Sequence, residues 1–249
     1  MDALELVAFC IWCFAVALAG GLVGLVLGNI RLPAVLLLAS SPAAGAGANI
    51  GISGVAALTA GVAHIRRGRV NWRLVAWMAP PSVAGALAGG YLSGLVPDKA
   101  LLLAIAALLL YFGADLLRSR RRPTESSARR LDVRAAILTG AAIGVLGGFV
   151  GLILGSLRMP AMLRYVGERP ARAVGSNVVV GFCVGAAGVV GHAPGGIDWE
   201  LLAVGAGASI PGAVLGARLT GRLSEPQLLR AVGAVLLVAG TGTAVRALT

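Results

Sequence analysis

Acidic side chains are scarce in this 249-residue sequence, and none lies in the middle of an apolar segment. The ten aspartates and glutamates all fall in predicted loops or near segment ends. Acids buried in a membrane usually mark proton relays or other polar functional sites, so their absence argues against a carboxylate relay, an acidic cation site or an intramembrane aspartyl protease. Charged residues of all kinds make up only 12% of the chain, against about 25% in soluble domains. The sequence therefore predicts a membrane protein.

Cysteine and histidine are also few, with three and two residues. Cys10 and Cys13 have CxxC spacing, but no further cysteine or histidine is near enough in sequence to complete a zinc site, so we interpret them as packing residues. No HExxH motif, no Ser-His pair with an orienting acid and no nucleotide-binding motif is present. We therefore predict no metal, no cofactor and no catalytic residue, and the chain is not expected to be an enzyme.

Hydrophobic residues make up 58% of the chain and form long runs without charge. A membrane-spanning helix needs about 20 apolar residues, and runs near this length predict an all-α, polytopic integral membrane protein with about eight transmembrane helices. The first run begins with Asp2 and Glu5 rather than with basic residues, and it is too long for a signal peptide. We expect it to stay in the mature protein.

Two segments that lie 127 residues apart are nearly identical in sequence: GGLVGLVLGNIRLP at 20–33 and GGFVGLILGSLRMP at 147–160. Nine of their fourteen aligned positions are identical. The match continues along the chain through the pairs Asn49 and Asn177, His64 and His192, and Trp72 and Trp199. This pattern predicts two homologous membrane repeats, residues 1–117 and 135–249, joined by a basic linker at 118–134.

Arginine clusters predict the orientation in the membrane. The linker 118–134 and the segment 66–73 are both rich in arginine, and they lie two crossings apart. By the positive-inside rule, both belong to the cytoplasmic face of the cell membrane, so the net charge of +11 does not indicate a nucleic-acid partner. The loop after His192 lacks the basic residues of the loop after His64. That difference favours inverted repeats with an odd number of crossings each, whereas a parallel four-plus-four arrangement keeps the helix count simple; the sequence leaves both open.

Arg31 and Arg158 occupy equivalent positions, each three residues after a glycine and two before a proline. Pro33 and Pro160 lack an amide hydrogen and disfavour helical conformation in the preceding residue, so we expect each helix to break there. The half-helix after a break presents free N–H groups and a partial positive charge, which attract an anion. An arginine beside it adds a planar donor for two oxygens of a sulfonate or carboxylate. The alternative is that each arginine snorkels to a lipid headgroup.

Neighbouring polar residues and glycines complete the predicted site. Asn49 and Asn177 follow polar segments and precede apolar ones, so their side chains either cap a helix, contact the anion, or do both. The predicted substrate-binding residues are Arg31, Arg158, Asn49, Ser176, Asn177, Gly28, Gly155, Asn29 and Ser156. His64 and His192 are the candidates for proton coupling, because imidazole titrates near a pH of about 6.5.

The paired pattern resembles a known family. In both halves a glycine-rich stretch ends in proline and is followed by a polar segment, a Ser-Asn or Ala-Asn pair, a histidine and an aromatic residue. This pattern is similar to that of the TauE/SafE sulfite exporter family, also called the toluene sulfonate uptake permease family. The resemblance implies a permease with a duplicated helical bundle that moves sulfite, thiosulfate, sulfoacetate or related small anions.

The combined prediction is a secondary transporter for a small anion, with its site between the two repeats and alternating access by movement of one repeat against the other. The anion and the lipid bilayer are the expected partners, and a homo-oligomer is left open. A passive anion channel and a non-transporting membrane scaffold subunit are the alternatives. Export is the favoured direction, because an inside-negative potential drives anions outward.

Overall fold

The computed structural model describes residues 3–91, 98–118, 131–150, 153–193 and 196–248. These residues form helices and contain no β-strand. The first half has five helices: α1 (Ala3–Val23), α2 (Gly28–Leu38), α3 (Pro42–Ile65), α4 (Trp72–Tyr91) and α5 (Asp98–Arg118). The second half repeats this order: α6 (Val133–Val150), α7 (Gly155–Ala161), α8 (Pro170–His192), α9 (Trp199–Leu219) and α10 (Glu225–Leu248). A π-helical turn, Met162–Val166, continues α7, and a 3-10 turn, Thr220–Arg222, continues α9.

Five helical segments of the described part are long and apolar enough to cross a membrane. They are Ala3–Val23, Ala44–Ile65, Pro170–Gly191, Trp199–Arg222 and Glu225–Val245. Two shorter apolar helical segments, Gly28–Leu38 and Val133–Gly148, accompany them. The chain is therefore an all-helical, multi-pass membrane protein, and the sequence-based count of about eight spans stays a prediction.

The helix break in the first half precedes the proline, contrary to the sequence-based expectation. α1 ends at Val23, residues 25–27 are not helical, and α2 then runs through Pro33. Gly24 makes the break because its φ of +70° is a left-handed conformation that other L-residues rarely adopt. In the second half Ile153 and Leu154 are likewise not helical, and α7 includes Pro160. Pro33 and Pro160 thus lie inside short helices instead of ending them.

The N-caps also differ from the expectation. α3 begins at Pro42, and Ser41 caps it by accepting a hydrogen bond from the backbone N–H of Ala44 at 3.2 Å. Asn49 lies about two turns inside α3, and Asn177 lies equally deep in α8. The capping interpretation of these two asparagines is therefore wrong, because the polar segments before them are already helical.

Contacts between glycines and the backbones of neighbouring helices show the relative directions of the helices. Gly212 of α9 faces the backbone of Phe14 in α1, and Gly216 faces that of Leu18, so α1 and α9 are parallel. The equivalent contacts of α4 and α6 are Met78 with Gly140 and Ser82 with Gly144. Each of these pairs joins one half to the other, and the absence of a Cβ lets the helices approach closely.

The two central helices, α3 and α8, are antiparallel, since Gly54 packs against Gly185 and Ile50 against Gly188. α5 and α10 pack together in the same antiparallel way. Other contacts follow the same symmetry between the halves. α3 packs on α9, and the equivalent helices of the other half, α8 and α4, also pack together. In the same way α2 contacts α10, and α7 contacts α5. Equivalent helices of the two halves therefore run in opposite directions.

The connecting segments gather at two ends of the bundle. The end that we call the basic face holds the segments 66–71, 162–169 and 220–224, which include Arg66, Arg67, Arg69, Arg164, Arg169 and Arg222. The end that we call the opposite face holds 39–41 and 196–198, and these two segments contain no basic residue. Residues 119–130 of the predicted cytoplasmic linker lie outside the described residues, but its flanking helices, α5 and α6, meet it at the basic face.

Candidate anion-binding site

Two arginines lie in the interior of this apolar bundle. Arg31 in α2 is 2% exposed and Arg158 in α7 is 1% exposed. Each lies one turn after the non-helical segment of its half, at the equivalent place in the two halves. Neither side chain reaches the bundle surface, so the snorkelling interpretation is wrong for both.

Arg31 is held by α3. Its Nε donates to Oδ1 of Asn49 at 3.1 Å, and its Nη2 donates to the backbone oxygen of Asn49 at 3.0 Å and to Oγ of Ser53 at 2.5 Å. The amide nitrogen of Asn49 donates in turn to the carbonyl oxygen of Gly28 at 3.1 Å. This network ties the start of α2 to the middle of α3 and brings three of the predicted residues together.

Arg158 has a similar position but fewer partners. Its Nη1 is 3.4 Å from Oδ1 of Asn177, and its Nε has no hydrogen-bond partner. The amide nitrogen of Asn177 donates to the carbonyl oxygens of Gly155 at 2.8 Å and Gly24 at 2.7 Å. Asn177 therefore fixes the start of α7 and also holds the first half's helix break against α8.

No described carboxylate forms an ion pair with Arg31 or Arg158. Guanidinium groups keep their proton in proteins, so the interior holds two positive charges with only neutral partners. Burying an ion without a counter-charge costs several kcal/mol even after relaxation. An incoming anion would lower that cost, whereas a cation would raise it. The electrostatics of the site thus select for negative charge.

A small cavity of about 20 Å³ lies beside Arg31, where α1 and residues 25–27 meet Ser53 of α3 and Val178 of α8. One water molecule needs roughly 10–15 Å³ of such space. The cavity therefore holds about one water and is too small for a sulfonate.

The structure does not bring every predicted binding residue to the arginines. The amide nitrogen of Asn29 donates to Oγ1 of Thr243 in α10 at 3.2 Å. Ser176 accepts a hydrogen bond from the backbone N–H of Asn71 at 2.9 Å, so its hydroxyl contacts the segment before α4. Ser156 is buried next to Gly155 at the start of α7. The described site therefore centres on the two arginines, the two asparagines and their glycine carbonyls, with Ser53 added by the structure.

His64 is fully buried near the end of α3, below the basic face. Its Nε2 lies 3.2 Å from the carbonyl oxygen of Gly21, and its Nδ1 has no partner. The side chain of His192 lies outside the described residues, so its predicted role in proton coupling is not addressed.

Two further contacts join the halves, one at each face, and the sequence patterns did not single them out. At the basic face, the amide of Asn71 donates to the carboxylate of Glu168. At the opposite face, the carboxylate of Asp198 accepts a hydrogen bond from the backbone N–H of Ser40 at 3.2 Å. Asp198 also caps α9 by accepting from the backbone N–H of Leu201 at 3.1 Å, and this bond lowers the pKa of its carboxyl. Each of these two contacts thus holds one half against the other.

The comparisons with known proteins agree with this architecture. The family described as "Sulfite exporter TauE/SafE" matches residues 9–243. The chain belongs to this family. It is also 29% identical over 239 residues to the "Probable membrane transporter protein YjnA" of Bacillus subtilis (strain 168), covering 89% of this chain and 94% of that protein. No solved structure matches the chain significantly.

Membership in the sulfite exporter TauE/SafE family makes the chain a membrane transporter, or permease. It also favours a permease over an enzyme. The resemblance inferred from the paired glycine, proline and Ser-Asn pattern is confirmed.

Proposed function

We propose that this protein is a secondary transporter that carries a small oxyanion, with sulfite or an organosulfonate as the substrate, between its two halves. The observation that carries the proposal is the pair of buried arginines, Arg31 and Arg158, which have no carboxylate partner in the described chain. A planar guanidinium offers two parallel N–H donors to two oxygens of one anion, and such charge-assisted bonds are about twice as strong as neutral ones. The substrate would supply the missing counter-charge.

Alternating access would follow from an inverted repeat. The two halves contain the same order of helices, and equivalent helices run in opposite directions. In transporters built this way, the substrate site lies near the membrane midplane at broken helices, and one repeat moves against the other. Here the short helices α2 and α7 each carry one of the arginines. We propose that each half crosses the membrane five times, with the α2 and α7 regions each counted as one crossing.

The orientation follows from the charge. We propose that the basic face and the linker 118–134 are cytoplasmic, and that the membrane is the cell membrane, because cytoplasmic loops carry the excess of arginine and lysine. An inside-negative potential of 100 mV favours outward movement of a monovalent anion by about 2.3 kcal/mol. The membrane potential alone therefore favours export. If proton coupling exists, buried His64, which has one unpartnered ring nitrogen, is the residue to carry it.

Flux into proteoliposomes tests this function. We expect vesicles that hold the purified protein and internal sulfite to take up labelled sulfite by exchange, and we expect the double variant Arg31→Gln/Arg158→Gln to lose that flux. Arg67→Gln is the matched control, because Arg67 lies exposed on the basic face. Counterflow also separates a carrier from a passive channel, since a channel shows no stimulation by internal substrate. Wild-type flux in the correctly inserted double variant would contradict the site.

A further inference from the structure

The two halves differ in one respect that bears on how an anion binds. Building on the proposed function, we propose that Arg158 is the guanidinium that binds the transported oxyanion, and that Arg31 is a positioning residue whose binding edge the protein itself occupies. The substrate site would then be asymmetric even though the two halves are similar in sequence.

An arginine binds an oxyanion side-on through the edge formed by Nε and Nη2. In Arg31 both nitrogens of this edge already donate to protein oxygens, two from Asn49 and one from Ser53. The two bonds to Asn49, at 3.0 and 3.1 Å, have the distances of well-formed hydrogen bonds. An anion that approached this edge would have to displace all three bonds. Arg31 therefore serves to lock α2 onto α3.

Arg158 leaves the same edge available. Its Nε is buried and has no partner, and its bond to Asn177 comes from Nη1 at a long 3.4 Å. An unmade hydrogen bond on a buried charged group carries the full desolvation penalty. A bound anion would accept this hydrogen bond and so remove the penalty, which favours binding at this edge.

One substitution between the repeats explains the difference. Ser53 lies four residues after Asn49, and the residue four positions after Asn177 is Gly181. Gly181 offers no hydroxyl to Arg158. A Cβ at this position would lie 2.6 Å from Cγ2 of Val26, so a serine here would collide with the crossing segment of the first half. The packing between the halves thus leaves Nε of Arg158 without a protein acceptor.

The small cavity at Arg31 does not change this assignment. It holds about one water, and apart from Arg31 and Ser53 its walls are aliphatic side chains and glycines. The occupied edge of Arg31 and the small volume both exclude a sulfite-sized anion there. When the halves separate, the free edge of Arg158 would be the donor that is ready without breaking protein bonds.

Binding and thermal stability of the purified full-length protein test the proposal. Sodium sulfite is the probe, with methanesulfonate and acetate as comparisons, and the variants are Arg158→Gln, Arg31→Gln and Ser53→Ala. We expect Arg158→Gln to weaken sulfite binding at least ~10-fold, the change of about one charge-assisted hydrogen bond. It should also raise the melting temperature of the anion-free protein, by roughly 2 °C or more, because it removes an unsatisfied buried charge.

The other two variants are expected to behave in the opposite way. Arg31→Gln and Ser53→Ala should lower the melting temperature of the anion-free protein, since each breaks the lock on α3, and each should weaken sulfite binding less than Arg158→Gln does. If Arg31→Gln fails to fold, Ser53→Ala still provides the comparison with Arg158→Gln. An Arg158→Gln protein with wild-type affinity, or a Ser53→Ala or Arg31→Gln protein that loses as much affinity as Arg158→Gln, overturns this inference alone. A wild-type protein that binds none of the three anions overturns the proposed function itself.

Discussion

Gly24 offers a sharp test of how the first helix break is built. Its φ is +70°, and a Cβ placed on it would lie 2.5 Å from Cα of Val174 in α8. Gly24→Ala therefore introduces two separate costs. The left-handed backbone costs an L-residue about 1–2 kcal/mol, and forcing an extra group against a backbone that cannot move freely costs roughly 1–3 kcal/mol more. The expected total is about 2–5 kcal/mol.

Gly68 is the matched control for this substitution. It has a φ of +64°, but nothing lies within 4 Å of the position that its Cβ would take. Gly68→Ala should therefore cost only the backbone term of about 1–2 kcal/mol. A difference of 1 kcal/mol shifts the melting temperature by roughly 2–4 °C in a protein of this size.

The assay is thermal unfolding of the two purified variants in one detergent, followed by tryptophan fluorescence. We expect Gly24→Ala to melt several degrees below Gly68→Ala, and to lose transport as the break moves away from α8. Equal falls in the two melting temperatures would show that the break is not packed against α8. Asn177 of α8 also holds the break against α8, because its amide donates to the carbonyl oxygen of Gly24.

Three other outcomes are expected. Gly216→Ala should destabilise the protein, because its Cβ would collide with the carbonyl oxygen of Leu18. In the same helix, the Cβ of Gly207→Ala would meet nothing within 4 Å, so this variant should be neutral or stabilised by about 1 kcal/mol. Thermal unfolding compares the two variants. His64→Gln should remove any dependence of the transport rate on pH if this residue carries proton coupling; an unchanged pH profile excludes it. The lowered pKa of Asp198 means that its carboxylate stabilises the fold above the unfolded value of 3.8 and loses that effect as pH falls through the folded value. The stability of wild type relative to Asp198→Asn should therefore be constant from about pH 5 to 8 and shrink only in stronger acid; a change near pH 6 would contradict this.

The sequence predicted the helical membrane class well, because the signal for it was hydropathy. The helical membrane class follows from long apolar runs, and the equivalence of Arg31 and Arg158 follows from the duplicated peptide. Both arginines are buried and lie beside the asparagines that the pattern had selected. These features depend on local sequence, which is copied when a gene segment is duplicated.

The sequence failed where tertiary contacts decide the outcome. Proline patterns placed the breaks at Pro33 and Pro160, but the chain breaks earlier, at Gly24 in the first half, because a left-handed glycine packs against α8 there. The exchange of Ser53 for Gly181 was visible in the alignment of the halves, yet its meaning required the hydrogen bonds of Arg31. The contacts at the two faces, such as Asp198 with Ser40, join residues far apart in sequence. No local pattern reports such pairs.

Whether an oxyanion binds at the buried arginines can be tested by locating a bound anion inside the protein. Selenite has the charge and shape of sulfite, and its selenium can be located by anomalous diffraction from crystals grown with it. We expect a selenium peak inside the bundle, about 3–4 Å from the guanidinium nitrogens of Arg158, a distance set by its hydrogen-bonded oxygens. Selenium found only at the exposed arginines of the basic face, or at none of the buried ones, would contradict it.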